Sequence, residues 1–309
     1  MPAAPFAAAQ RRHFVPAVVL PTLLCAGLPF WLPLWHHPGL ALAWLLGMWF
    51  LVGGLGVSVG LHRLLSHRAF EAAAPLRALL GVLGAMAAQG LTLYWVSLHR
   101  MHHAASDQPG DPHSPRASAW PGEGRLQAAW QCHIGWVWRH DVPKPTRYAR
   151  DLIADPLMRR LSRAYPACVV AGVLLPALLA WALLRGWPGG GLGVGLGDAH
   201  AARFGAYWGG VVRIALGHHV IWAINSWCHM SGSRGHDTVD GSTNVAWLAL
   251  LSWGESWHHN HHAQPVQARF GRGWRQPDVG GWMVRLFVAL GWAQLRRPAA
   301  LRACLPQIG

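Results

Sequence analysis

The sequence predicts an all-α integral membrane protein, and three observations lead to this prediction. Hydrophobic residues make up 52% of the 309-residue chain and charged residues only 12%, which separates it from soluble globular domains. Four apolar stretches each reach about 20 residues, the length that a helix needs to cross a bilayer. Backbone in contact with lipid must satisfy its own hydrogen bonds, so helices are expected to dominate.

The four predicted spans pair into two hairpins. They cover residues 14–35, 40–61, 164–184 and 204–227. The first stretch is too long for the apolar part of a signal peptide and lacks a small-residue cleavage site, so we expect it to remain in the protein. Residues 62–163 and 228–309 would form a helical cap, and the chain 1–309 is predicted to be a single domain.

Arginine is distributed unevenly around these spans. It is absent from the turn 36–39, whereas it is frequent just before the first span, in the segment 100–163 and after residue 230. An excess of Lys and Arg marks the cytoplasmic side of a membrane protein. We therefore expect both termini and the cap to face the cytoplasm.

The segment 75–98 is also apolar and about as long as a span. Its glycines, together with Gln89, Tyr94 and Trp95, suit an interfacial or partly buried helix. If it crossed the membrane, His99 would lie about 30 Å of hydrocarbon away from His62. Because these histidines are expected to act together, as argued below, we expect the segment to lie at the interface or to fold back.

Charge and cysteine content exclude several classes of protein. The chain has 26 basic and 12 acidic residues, a formal net charge of +14. In so apolar a chain this charge indicates anionic lipid surfaces, acidic redox partners or phosphorylated substrates. No zinc-finger or RNA-binding signature accompanies it, so nucleic acid is not an expected partner. The five cysteines lack CxxC spacing, which argues against a disulfide framework.

Histidine spacing is the most informative feature of the sequence. Three histidine boxes read HRLLSH (62–67), HRMHH (99–103) and HHNHH (258–262). The histidines of interest are His62, His67, His99, His102, His103, His258, His261 and His262. Residues three and four apart share a helix face, so the second and third boxes can each direct two rings at one point. The five-residue spacing of the first box fits an ideal helix poorly, so we expect the helix to end or distort there.

Eight imidazoles exceed what one metal ion takes, so two metals are implied. Imidazole suits iron, zinc, copper and nickel alike, and ligand type alone leaves the metal open. Soluble di-iron bundles build their centre from four glutamates, but this chain has only Glu71, Glu123 and Glu255. The site must therefore be based on histidine.

These motifs resemble those of the membrane fatty acid desaturase family, close to the stearoyl-CoA desaturases and their bacterial relatives. Besides the three boxes, NSWCH (225–229) is similar to the family's NSxxH element, and GESWH (254–258) resembles its GExxH motif. The resemblance extends from about residue 40 to residue 285. It implies that two irons are bound by the eight histidines of the boxes together with His229, and that Asn225 reaches one iron through water.

The resemblance also implies a reaction. The expected product is a cis double bond, at the Δ9 position, in a C16–C18 acyl chain, with acyl-CoA favoured over acyl-lipid or acyl-carrier protein. Methylene hydrogens have no acidity that acid–base catalysis can use, so activated O2 is required. The chain lacks flavin, haem and iron–sulfur motifs, and the expected electron donor is a ferredoxin, rubredoxin or cytochrome. The expected location is a bacterial inner membrane, with the site facing the cytoplasm.

Two other functions stay open at this point. A membrane hydroxylase or ketolase shares the histidine boxes and the oxidant, although the residues within the boxes favour a desaturase. A metal transporter or sensor is a more distant alternative. It would need polar residues along its spans, whereas the histidine boxes of this chain adjoin span ends.

Substrate contacts are predicted from the same resemblance. Trp95 and Trp222 match aromatic positions near the family's acyl tunnel, and Arg139 matches a basic residue associated with the CoA end. On the second span, the residues four, eight and twelve positions before His62 lie in one stripe along the helix. The stripe consists of Ser58, Gly54 and Phe50. It predicts either a tunnel with a ring as its floor, or a surface for close helix packing.

Arg213 and the remaining histidines are the other polar groups that need an explanation. Arg213 lies within the fourth predicted span, where an unpaired charge would be costly, and the sequence alone does not identify its partner. The histidines outside the motifs, such as His113, are expected to be structural or to lie on the cytosolic surface.

Overall fold

Helices make up most of the chain, as the apolar composition predicts. The computed structural model describes residues 8, 12–27, 37–115, 124–139, 142–184 and 197–296. Its helices are α1 (Arg12–Gly27), α2 (Pro38–Ser66), α3 (Ala74–Ala85), α4 (Thr92–Ala104), α5 (Arg125–Trp130, continuing through Gln131–Gly135 and Trp136–Arg139), α6 (Pro145–Tyr148), α7 (Arg150–Ala154), α8 (Pro156–Leu184), α9 (Asp198–Gly205, continuing through Ala206–Val212 and Arg213–Ser226), α10 (His258–Ala263) and α11 (Val279–Ala289). Short 3₁₀ turns occur at Trp227–His229 and Ala246–Leu248.

One small sheet departs from the all-α prediction. Strand β1 (Phe70–Ala72) pairs antiparallel with β2 (Ala293–Leu295), and Phe70 lies opposite Leu295. The pairing joins the end of the described chain to the segment that follows the first histidine box. Strands of three residues carry too weak a periodic signal to be recognised in a sequence of this kind.

Within the described residues, two helices are long and apolar enough to cross a membrane. They are α2 and α8, and they contain the predicted spans 40–61 and 164–184. The predicted span 14–35 begins in the shorter apolar helix α1, and its residues 28–35 lie outside the described residues. The predicted span 204–227 lies almost entirely within α9.

Helix α2 changes its winding at Phe50. Residues Phe50–Ser66 form a π-helix, whose hydrogen bonds join residues five apart. The segment packs very closely on α3, since a Cβ on Gly56 would overlap the backbone of Leu83. The winding continues through the first box, where the His67 amide donates to the His62 carbonyl at 3.1 Å. The expected distortion is therefore present, and it brings residues five apart onto one side of the helix.

The apolar segment 75–98 does not form one continuous helix. It is divided between α3 and α4 by a turn at residues 86–91, in which Ala88 has a φ of 60° and Gly90 a φ of 99°. The chain reverses at this turn, and α4 returns to the end of α2, where the rings of His62 and His99 have centroids 4.4 Å apart. The segment thus folds back within the structure.

Arg213 is bonded to the backbone of three elements. Its side chain is buried and donates to the carbonyl oxygens of Gly209 at 3.0 Å, Met86 at 2.9 Å and Gly172 at 2.7 Å. These acceptors lie on α9, in the turn after α3, and on α8. The guanidinium therefore fixes the turn between two long helices, and its partners in the described structure are carbonyl dipoles rather than a carboxylate.

Candidate metal centre

Nine imidazoles converge where α2 and α9 meet α4 and α10. They form two groups, and in each group the nitrogen atoms available to a metal lie within 4.8 Å of one another. The five-histidine group consists of His62, His67, His99, His103 and His261. The four-histidine group consists of His102, His229, His258 and His262. These are the nine histidines that the sequence singled out, so the fold brings the complete set together.

Helical spacing divides the boxes between the two groups. On α4, His99 and His103 are four residues apart and both join the five-histidine group, while His102 joins the other. On α10, His258 and His262 are four residues apart and belong to the four-histidine group, while His261 belongs to the five-histidine group. Each of these two short helices therefore contributes to both groups.

The Nε2 atoms within each group are very close together. Their separations include 2.6 Å between His67 and His99 and 3.0 Å between His103 and His261 in one group, and 3.1 Å between His229 and His258 in the other. A neutral imidazole that donates its Nδ1 proton elsewhere carries a bare lone pair on Nε2. His102 and His262 both have a carboxylate at Nδ1, and their Nε2 atoms lie 3.4 Å apart, so two lone pairs face one another there and repel unless a cation lies between them. The arrangement therefore fits two metal ions, each within reach of several imidazole nitrogens.

Carboxylates contact the opposite edge of four of the rings. The pairs are Glu255 with His62, Asp111 with His102 at 2.9 Å, Asp107 with His229 at 3.0 Å, and Asp240 with His262 at 3.4 Å, in each case at Nδ1. Such a carboxylate fixes the tautomer and orientation of a metal-binding histidine and makes its other nitrogen more basic. The sequence reasoning assigned no role to these carboxylates. A signal for them was present in the sequence. The chain has only 12 acidic residues, and several of them lie close to a histidine box.

Protonation behaviour follows from burial and from these carboxylates. Burial, reinforced by neighbouring rings, lowers the pKa well below its ordinary value for six of the nine imidazoles. These are His67, His99, His103, His258, His261 and His262. Burial alone would also lower the pKa of His102, but the Asp111 carboxylate reverses the shift and raises it. Burial opposes ionisation of Glu255 as well, yet the charge of Arg63 and the bond from His62 lower its pKa to about 2.

Ser58 belongs to a buried polar network rather than to a tunnel wall. Its hydroxyl bonds to Glu255 at 2.5 Å and also contacts Arg63. Arg63 in turn forms ion pairs with Glu255 and Asp278, and its guanidinium lies 3.8 Å from the centroid of the Phe270 ring. Ser58 thus helps to hold the carboxylate that orients His62.

Phe50 and Gly54 also lie outside the cavity beside the metal centre. The ring of Phe50 meets Trp253 edge to face at 5.4 Å, and a Cβ on Gly54 would lie 3.4 Å from the same indole. The stripe was predicted to be either a tunnel or a packing surface, and these contacts with Trp253 are those of a packing surface. A step of five from His62 reaches Val57, which does line the cavity.

The cavity begins at the metal centre and runs between α4 and α9. His62, His99, His102 and His258 line it at the metal end. The predicted substrate contacts Trp95 and Trp222 both line it, as does Asn225. The Trp95 ring stacks on His99 with a centroid separation of 5.4 Å and an interplanar angle of 14°. Apolar rings therefore form a wall that leads directly away from the imidazoles.

Arg139 and His113 are the other two residues for which the sequence made a prediction. Arg139 is the last residue of α5, and its side chain lies outside the described part of the structure. His113, which was expected to be structural or on the surface, is buried and lines the cavity, with its ring centroid 4.6 Å from that of His102. The chain after the second box turns back over that box, and a path of this kind cannot be read from periodicity.

The helical fold and the two histidine groups define a class of protein, helical proteins whose clustered histidines could hold two metal ions. Comparison with known families makes this more specific. Residues 35–276 match the family model described as fatty acid desaturase. The chain belongs to the fatty acid desaturase family, and it is an oxidoreductase of that family.

Individual relatives cover most of the chain. It is 37% identical over 277 residues to the hex-5-enoyl-[acyl-carrier protein] acetylenase of Moorena producens (strain JHB), covering 88% of this chain and 81% of the relative. It is 34% identical to the sn-1 stearoyl-lipid 9-desaturase of Anabaena variabilis, covering 84% and 83%. It is 35% identical to the acyl-CoA C20 Delta5-desaturase of Anemone leveillei, covering 79% and 69%.

Proposed function

We propose that this chain is an O2-dependent desaturase that introduces a cis double bond, at Δ9, into a C16–C18 fatty acyl chain. The observation that carries the proposal is the cavity that opens on both histidine groups and is lined by Trp95 and Trp222. A saturated chain has no acidic or polar group at the reacting carbons, so an enzyme has to place them by shape. A narrow apolar cavity that ends at metal ligands meets this need.

The proposed metals are two irons, one in each histidine group. Bound iron would activate dioxygen, which two donated electrons, two protons and the two hydrogen atoms removed from the acyl chain would reduce to two water molecules. Burial lowers the pKa of six of the nine imidazoles and so keeps those rings neutral, and carboxylates at Nδ1 direct four rings. Asn225 lines the cavity one helical turn before His229, which fits its proposed contact through water. The apolar wall excludes bulk water from the acyl chain.

The acyl carrier is the finer part of the proposal. We propose acyl-CoA, delivered from the cytoplasmic side of a bacterial inner membrane. The relatives are named for acyl-carrier protein, lipid and CoA substrates, so assays should offer all three carriers. A separate ferredoxin, rubredoxin or cytochrome would deliver the electrons, and the formal net charge of +14 favours an acidic donor.

Product analysis tests the proposed reaction. Fatty acids of a bacterial host that expresses the chain should contain a new monounsaturated product two mass units lighter than its precursor. A product heavier by one oxygen atom would identify a hydroxylase instead. The His261→Ala variant should lose the product, whereas the His37→Ala variant, altered just before α2, should keep it. No new product in cells that contain iron-loaded protein would contradict the proposal.

The proposed four-span topology has its own test. Single cysteines at the exposed positions Gln108 and Gln267 should be labelled from the cytoplasm, and one at Ala199 should be labelled from the other side. The native cysteines are replaced first, so that each label reports one position. Labelling of residues 108 and 199 from the same side would contradict four spans in two hairpins.

A further inference from the structure

The far end of the cavity is formed by two elements that carry no metal ligand. His13, Phe14 and Val18 of α1 line it, together with Ala88 and Gln89 from the turn after α3. On α9, Trp222 precedes His229 by seven residues and His218 precedes it by eleven. At the rise of an α-helix these positions lie about 10 and 16 Å from His229. The cavity therefore extends well away from the imidazoles to residues of α1.

Phe14 is the largest apolar side chain that α1 contributes to this end. It is 5% exposed, and its ring stacks on Trp222 with a centroid separation of 6.3 Å and an interplanar angle of 13°. Val18, one helical turn further along, is equally buried. The Trp222 indole is thus a wall of the cavity, and the Phe14 ring lies against it at the end that is remote from the imidazoles.

The polar groups near Phe14 are bonded within the protein. Ring nitrogens of His13 and His218 lie 3.1 and 3.2 Å from the backbone oxygen of Ala88. The Gln89 side-chain oxygen accepts a bond from the Trp95 indole at 3.0 Å. These bonds stabilise the turn that faces α1. They leave the side chains of Phe14 and Val18 as the apolar surface that a methyl terminus would meet.

We propose that Phe14 determines the longest acyl chain that the cavity accepts. The inference rests on the proposed function, because it assigns the far end of the cavity to the methyl terminus of an acyl substrate. A chain that reaches Phe14 is fully inserted. Each further methylene would have to displace the stacked ring, and one methylene in an apolar pocket is worth about 10–200-fold in specificity.

The test compares substitutions at Phe14 with one at its neighbour. Saturated acyl-CoA thioesters from C12 to C20 are supplied, and kcat/KM is measured for each length. Phe14→Ala should raise the preference for the next longer even-numbered chain by at least about tenfold, and Phe14→Trp should shift it toward shorter chains. Val15→Ala is the matched control, because Val15 is 58% exposed on the same helix. Its length profile should equal that of the wild type.

A binding measurement separates this inference from the proposed function. The purified iron-loaded protein is heated with each thioester, and the longest chain that raises the unfolding temperature is recorded. If that length changes in Phe14→Ala while no variant, nor the wild type, forms an unsaturated product, the length assignment stands and the proposed reaction fails. An unchanged length profile and an unchanged binding limit in both Phe14→Ala and the milder Phe14→Leu would overturn the inference.

Discussion

Each histidine of the metal centre has two ring nitrogens, and the contact of one directs the other. In the four-histidine group, His102 and His229 each have a carboxylate at Nδ1, from Asp111 and Asp107. Both aspartates have their pKa lowered below the ordinary range, that of Asp107 to about 2, because the bonds they accept outweigh the effect of burial. They remain ionised at any pH at which the protein would work, and so they hold the rings in one tautomer.

Replacing one of these carboxylates should weaken metal binding without emptying the site. In Asp111→Asn the side chain keeps its size, but the charge that makes His102 a better ligand is lost. We expect iron affinity to fall about 10–100-fold. The measurement is iron occupancy at limiting iron supply. Asp237→Asn changes an exposed aspartate and serves as the control. Equal occupancy in the two variants would contradict the assigned role.

The stability of the metal-free protein should depend on pH in a defined direction. Six imidazoles of the centre have a pKa well below their ordinary value, so the folded chain keeps them neutral. In the unfolded chain they take up protons near pH 6.5. Unfolding therefore binds protons below that pH, and the free energy of unfolding falls as the solution is acidified. The unfolding temperature of iron-free protein should drop between pH 7 and pH 5, and a constant value would contradict buried neutral rings.

At the scale of single residues, the sequence was sufficient for the imidazoles but not for their partners. The three boxes are recognisable because their spacing is local, and His229 is recognisable because NSWCH (225–229) resembles a motif of the desaturase family. The carboxylate of Asp107 reaches a ring 122 positions away in the chain, and the guanidinium of Arg213 finds its carbonyl acceptors on α8 and in the turn after α3. Contacts between distant segments leave no periodic signal in one sequence.

At the scale of elements, the winding of α2 decides which residues face the centre. A count in steps of four predicted that Ser58, Gly54 and Phe50 form either a tunnel wall or a packing surface, and in the structure they contact Glu255 and Trp253. The same winding explains the five-residue spacing of His62 and His67. The spacing of the first box was therefore the one local signal that the helix was not an ordinary α-helix.

Two glycines of α2 should respond to alanine in opposite directions. Gly56 lies against the backbone of α3, where a Cβ has no room, while Gly47 has no atom within 4 Å of the position of a Cβ. We expect Gly56→Ala to cost about 1–3 kcal/mol through overpacking. Gly47→Ala should stabilise the helix by roughly 0.5–1 kcal/mol. Thermal unfolding in detergent measures both, and equal effects would contradict the close packing of α2 on α3.

At the scale of the whole molecule, the fold assembles one site from distant parts of the chain. Helices α4 and α10 each supply imidazoles to both groups, so a displacement of either helix alters both. Helix α1, which precedes every histidine box in the chain, lines the cavity through His13, Phe14 and Val18. The apolar stretches predicted the long helices. The position of α1 along the cavity depends on packing and could not be derived from composition.

Iron stoichiometry tests the central claim, that nine imidazoles form a two-iron centre, most directly. Iron per polypeptide is measured in protein purified with iron supplied, for the wild type and for a double variant, His102→Ala with His261→Ala, which removes one ring from each group. The account predicts two irons per chain in the wild type and substantially less in the folded double variant. A wild-type value of one or zero, or two irons retained by the double variant, would contradict it.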